Sequence, residues 1–195
     1  MKTIDEKFMA ECISLARDGI RLAMPNPSVG AIIVHDNKII GQGATSAYGG
    51  AHAEVNAINS VRDKSLLKKA RLYVTLEPCS HYGNTPPCYK TILNHNIPNV
   101  IVGIKDPNKL VNGSGIKQLK KAGVNVIENV LEEECYSLNK RFFIYHKHKR
   151  PYVILKWAQT KDGFIDKIRN ENEKGIFWIS NPETKELTHK WRAEE

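Results

Sequence analysis

The 195 residues, 41% hydrophobic and 26% charged, have ordinary globular composition and exclude a disordered, collagen-like or disulfide-scaffold chain. The 29 Lys and Arg against 21 Asp and Glu leave a net charge of +8, which favours a phosphorylated or polyanionic partner but fits a merely basic surface equally well. No apolar run approaches the roughly 20 residues of a membrane helix, and the acids and bases of residues 1–11 exclude a signal-peptide core, so a cytoplasmic protein is expected.

Phe8, Met9, Cys12, Ile13 and Ala16 recur at three- and four-residue spacing and predict an amphipathic helix over residues 5–18, closed by Gly19. Pro25-Asn26-Pro27 forbids helix, so residues 29–34 emerge as a strand, and a turn at Asp36-Asn37 returns the chain over 39–43. Alternation follows: a helix opening near His52, a strand at 72–76, a helix after Pro87, a strand at 100–104, a helix at 116–121 and a strand at 124–127. Strands separated by helices predict an α/β layered sheet. Composition changes over residues 139–150, where KRFFIYHKHKR carries basic residues and no acid, and residues 151–156 (PYVILK) signal a fresh buried strand. The expected division is a domain of residues 1–145 and a segment of 146–195 that ends on a helix and is too short to close a core alone.

The chemistry lies in three segments: His52-Ala53-Glu54, Glu77-Pro78-Cys79, and Cys88 after eight intervening residues. One imidazole and two thiolates suit zinc, and three protein ligands leave a fourth position for water, as in a catalytic site. His52 and Glu54 project about 200° apart on the side of a helix, so they address one metal only from its mouth, where the dipole favours thiolate and hydroxide. Pro78 and Pro86-Pro87 predict that Cys79 and Cys88 also open turns into such mouths. Glu54 is then the proton carrier, taking a proton from water and passing it to the leaving nitrogen. Nucleobase deaminases share a His-x-Glu then Pro-Cys-x-x-Cys pattern, from which the eight-residue spacing here departs. The bland alternative is a structural zinc, or cysteines that are simply buried, and for Cys12 and Cys135 burial is the preferred reading.

The segments PNPSVGA (25–31), GAHAEV (50–55) and above all TLEPCSHYGNTPPC (75–88) resemble the RibD family of riboflavin biosynthesis proteins. The motifs Asp106-Pro107-Asn108, Gly113-Ser114-Gly115 and Arg150-Pro151-Tyr152-Val153 extend the likeness over nearly the whole chain. It implies a three-layer α/β/α cytidine-deaminase-like domain with a mixed sheet, followed by an incomplete dihydrofolate-reductase-like segment. The implied activity is zinc-dependent hydrolytic deamination of 2,5-diamino-6-(5-phospho-ribosylamino)pyrimidin-4-one, a small phosphorylated pyrimidine. By the same resemblance His52, Cys79 and Cys88 are the zinc ligands, Glu54 is the proton donor, and Asn26, His81 and Asn108 touch substrate. In the reductase segment Ala158 and Trp178 match NADPH positions, and Lys156 and Arg192 match substrate positions. NADPH is expected only with a full-length reductase domain, which a fragment ending here lacks. The family also implies a homo-oligomer that binds neither nucleic acid nor membrane.

Two other readings stay open. A cytosine or transfer-RNA adenosine deaminase would account for the basic surplus, although the long insert between the cysteines suits a small-molecule pocket better. A non-catalytic zinc-stabilised module would fill the open position with a fourth side chain such as His81.

Overall fold

The computed structural model describes residues 2–82, 86–109, 111–170 and 172–194. The chain forms two units, Met1–Tyr152 and Val153–Glu195.

In the first unit α1 (Ile4–Asp18) starts from a reciprocal cap: the Glu6 amide donates to Thr3 Oγ1 at 3.2 Å and the Thr3 amide to Glu6 Oε2 at 2.7 Å. The short α2 (Ile20–Ala23) follows Gly19, as the capping signal predicts. Strands β1 (Gly30–His35) and β2 (Lys38–Ala44) form a hairpin whose turn residues Asp36 and Asn37 have φ of 49° and 58°. Aspartate and asparagine tolerate that left-handed region, and the two-residue primed turn it makes matches strand twist. Then come α3 (Ala53–Ser60), a 3₁₀ turn (Lys64–Lys69), β3 (Arg71–Leu76), α4 (Cys88–Asn94), β4 (Asn99–Ile104), α5 (Ser114–Lys121), β5 (Asn125–Ile127), α6 (Glu132–Leu138) and α7 (Lys140–His148).

The sheet order is β2-β1-β3-β4-β5, antiparallel across β2, β1 and β3 and parallel from β3 to β5. Its two faces carry separate cores because side chains alternate along each strand. Ile33, Leu72, Val74, Val100 and Val102 pack under Ala57 and Ile58 of α3, Ile92 of α4 and Leu119 of α5. Ile32, Tyr73 and Ile101 point the other way, onto Met9, Cys12 and Ile13 of α1, Cys135 of α6 and Phe143 of α7. This is the expected three-layer α/β/α arrangement with a mixed sheet. Gly30 permits the close approach of α1 to β1, since a Cβ there would stand 1.9 Å from the Cys12 carbonyl oxygen. Cys12 and Cys135 are core thiols as expected, and burial pushes Cys135 up to about 12.

Two sequence expectations need amendment. The basic run at residues 140–150 marks no break in the packing: most of it is α7, whose Phe143 is buried in the first unit while Lys147 and His148 face solvent. Residues 151–156 form no strand, and Val153, Ile154 and Leu155 are exposed, because among the described residues no neighbouring strand offers them a ladder. The second unit contains α8 (Pro182–Glu194), the helix expected at the C-terminal end.

A buried carboxylate joins these parts. Glu77, the residue after β3, is 4% exposed. Its Oε2 accepts from the amides of Asp106 at 3.2 Å and Gly113 at 2.8 Å, and its Oε1 from Gly115 at 3.0 Å and Ile116 at 3.3 Å. An anion out of water needs such donors, and the mouth of α5 supplies most of them together with its dipole. Gly115 has no room for a side chain, as a Cβ would meet the Pro78 carbonyl oxygen at 1.9 Å. Replacing Glu77 by Ala leaves four donors without their anion, and urea unfolding of the variant should show a loss of about 3 kcal/mol or more. A change within about 0.5 kcal/mol, the usual range for an inconsequential substitution, would refute the anchoring role.

Candidate metal and catalytic centre

His52 is the N-cap of α3, with extended backbone, and Glu54 lies in the first turn of that helix. The helix-mouth placement inferred from their two-residue spacing is what the fold adopts. Cys88 is the first residue of α4, preceded by Pro87 as its N-cap. Cys79 reaches a helix mouth as the preceding proline predicts, but the mouth is that of α4. It sits in the loop after β3 and faces the mouth of α4, where the Cys88 amide donates to its sulfur at 3.3 Å.

His52 Nδ1 lies 3.2 Å from Cys88 Sγ and 3.5 Å from Cys79 Sγ, and the three donor atoms fall within 4.8 Å of one another. Tetrahedral zinc, with bonds of about 2.0–2.3 Å, separates neighbouring donors by roughly 3.5–3.8 Å, so this set fits such an ion with a small adjustment. Hydrogen bonding to the Cys88 thiol, then to His52, lowers Cys79 to about 4 despite its burial. Cys88, bonded to that sulfur and buried, is pushed up instead. The bond to Cys79 raises His52 to about 8. Burial, and next the charge of Cys79, raises Glu54 to about 7. Hydrogen bonding between the three side chains thus favours the charged forms of His52 and Cys79, while burial disfavours that of Glu54.

A cavity of about 210 Å³ opens beside them. It is lined by Asn26, His52, Glu54, Cys79, His81 and Asn108, so the fold gathers onto one cavity every deaminase-side residue singled out in the sequence except Cys88, which is buried behind it. Gly83, Asn84 and Thr85 of the loop between the cysteines lie outside the described residues. Thr45, Asp106, Val111 and Phe142 also line the cavity, and no site role was read for them. Asp106 stood in a quoted motif and is raised to about 6 by burial. Thr45 and Phe142 carry no local signal, because tertiary packing alone brings them there. Lys156, Ala158, Trp178 and Arg192 belong to the second unit, where all four are exposed.

The family profile described as "Cytidine and deoxycytidylate deaminase zinc-binding region" matches residues 2–104, more than half of the chain. The chain belongs to this zinc-binding deaminase family. Within it, the chain is similar to the riboflavin biosynthesis protein RibD of Aquifex aeolicus, at 41% identity over 194 residues that make up 100% of this chain and 53% of the relative. The crystal structure of a diaminohydroxyphosphoribosylaminopyrimidine deaminase/5-amino-6-(5-phosphoribosylamino)uracil reductase from Thermotoga maritima has a TM-score of 0.86 and 42% identity, covering 97% of this chain and 53% of that one. The Aspergillus oryzae Rib2 deaminase, a C-terminal deletion mutant in complex with DARIPP, has a TM-score of 0.58 and 25% identity, covering 74% of this chain and 94% of that one. The chain spans about half the length of the curated RibD relatives it matches. No helix among the described residues is long and apolar enough to cross a membrane.

The rim of the cavity is held by a side-chain amide. Asn139 Oδ1 accepts from the Ser28 amide at 2.9 Å, and Asn139 Nδ2 donates to the Ser28 carbonyl at 2.7 Å. Ser28 Oγ donates in turn to the Ala16 carbonyl at 2.6 Å. The loop carrying Asn26 is thereby bonded to the start of α7 and to α1. Asn139→Ala should lower stability by about 1–3 kcal/mol in thermal or urea unfolding, because both main-chain groups of Ser28 lose a buried partner. Asn139→Asp keeps the acceptor and loses the donor, so its loss should be comparable; full stability of both variants would refute the clamp.

Proposed function

We propose that this chain catalyses the zinc-dependent hydrolytic deamination of 2,5-diamino-6-(5-phospho-ribosylamino)pyrimidin-4-one in riboflavin biosynthesis. One observation carries the reading: His52, Cys79 and Cys88 converge beside a cavity into which Glu54, only 3% exposed, also faces. The name of the Thermotoga maritima enzyme supplies the substrate, and the coverage of nearly the whole of this chain supports carrying it over.

His52, Cys79 and Cys88 would hold the ion. Zinc bound there supplies Lewis acidity that makes water a nucleophile near neutral pH and positive charge that lets both sulfurs ionise. Glu54 takes a proton from the attacking water at its carboxylate and delivers one to the departing nitrogen, so that water and the aminopyrimidine become a pyrimidinone and ammonia. A carboxyl raised toward neutrality by burial suits both transfers. Asn26, His81 and Asn108 offer amide and imidazole groups to the polar edge of the base and its sugar. His81 is exposed and lies outside the donor group, which speaks against a closed four-ligand structural zinc.

The basic surplus is not gathered at this cavity: no Lys or Arg occurs among its described lining residues. The volume suits the base, and the phosphate of the proposed substrate would lie outside these walls. Only deamination is proposed for this chain; Ala158 and Trp178 are exposed in the second unit. The small-molecule reading needs neither nucleic acid nor membrane, and oligomer formation follows only from the resemblance.

Metal analysis of Cys88→Ala should show loss of stoichiometric zinc, and retention of one zinc per chain at unchanged affinity would sink the ligand assignment. Glu54→Gln should keep the metal yet lose about 10⁴-fold or more in deamination, followed by ultraviolet absorbance of the pyrimidine phosphate. A variant within tenfold of wild type would place the proton transfer on another group. Cytidine processed as well as the pyrimidine phosphate would overturn the substrate and leave the zinc chemistry standing.

A further inference from the structure

The zinc-region match ends at residue 104, yet Asp106, Asn108, Val111 and Phe142 of the cavity wall lie beyond it. Phe142 differs from all the others, being the only phenyl ring among the described lining residues. It comes from α7 and is half-buried, packed against the α1-side core. Its ring is braced: the His146 ring, one turn on, lies 4.4 Å away between centroids, and the Phe143 ring meets it edge-on at 5.8 Å. The helix is itself fixed at its first turn, since Asn139 grips the loop that brings Asn26 and Pro27 to the same cavity. Polar lining groups such as Glu54, Asn26, Asn108 and His81 are suited to the edge of a ligand. A braced phenyl offers what they lack, a flat apolar plane for the face of a π-system.

We propose that Phe142 is a specificity-determining residue, the aromatic wall against which the heteroaromatic ring of the substrate lies while its amino group faces Glu54. The inference rests on the deaminase reading above and makes Phe142 the residue that selects planar amino-substituted nitrogen heterocycles over acyclic amidines and guanidines of the same polarity. It also gives a residue outside the shared zinc region a part in the choice of base, beside Asn26 and His81 within it.

The test uses the full chain and three variants, Phe142→Ala, Phe142→Leu and Phe142→Tyr. Steady-state deamination of the pyrimidine phosphate is compared with calorimetric binding of the deaminated product. Base-on-aromatic stacking is of a size to make Phe142→Ala raise KM and product Kd by about 10–100-fold, with kcat changed by less than about fivefold. Phe142→Tyr keeps the plane and should stay within about threefold of wild type. Phe142→Leu fills similar space without a plane and should fall with Phe142→Ala. Because Leu and Tyr both preserve an apolar contact with the core, their contrast decides the matter even if the Ala variant melts early. Wild-type binding by Phe142→Leu would reduce Phe142 to a space-filler and overturn the proposal. If the wild-type chain ignores the pyrimidine phosphate but deaminates cytosine or guanine, the substrate reading fails and the same variants judge Phe142 on that base; a chain that binds none of these heterocycles overturns both.

Discussion

The carboxylate of Glu77 has to be satisfied without water, and four backbone amides from separate parts of the chain meet that demand. Because those amides belong to Asp106 and to the mouth of α5, the end of β3, the loop after β4 and the start of α5 cannot shift independently. Cys79 stands two residues further along the same loop, and Asp106 and Asn108 line the cavity on the other side of the anchor. The Ser80 hydroxyl, bonded to that of Ser114, adds a second tie between the cysteine loop and α5. A buried anion is costly to disturb, so this one converts a set of connecting loops into a rigid floor for the site.

What was legible beforehand was local. Three- and four-residue periodicity placed α1, the primed turn placed the β1–β2 hairpin, and the two-residue spacing of His52 and Glu54 forced them to a helix mouth. The donor set was readable because metal ligation restricts residue types so strongly. The proline before Cys79 pointed it into a helix mouth but did not tell which one, and the helix it faces begins nine residues later at Cys88. Thr45 and Phe142 were invisible for another reason: nothing in their own neighbourhoods announces a cavity, and they reach it through sheet packing and the docking of α7. The basic run of α7 was legible as charge but hid its apolar side, which buries Phe143. The apolar run at residues 151–156 read as a strand, yet β structure depends on a partner as well as on its own residues.

The site divides its labour between parts of the chain. Residues within the matched zinc region supply His52, Cys79, Cys88 and Glu54, the donor group and the buried carboxyl beside it. Side chains after residue 104 complete the wall. The cavity wall therefore draws on both parts, with Asn26, Thr45 and His81 from the matched region and Asp106, Asn108, Val111 and Phe142 from beyond it.

The bond between Ser28 and Asn139 spans 111 positions of sequence, and this separation orders the birth of the molecule. A growing chain contains all three sulfur and imidazole donors once Cys88 has been made, but the helix that closes the cavity is synthesised some fifty residues later. Long-range closure of this kind comes at an entropic cost that only the finished core offsets. A nascent chain thus possesses its two sulfurs and its imidazole well before it possesses a pocket, and the cavity is enclosed last, with the docking of α7 beside the Asn26 loop.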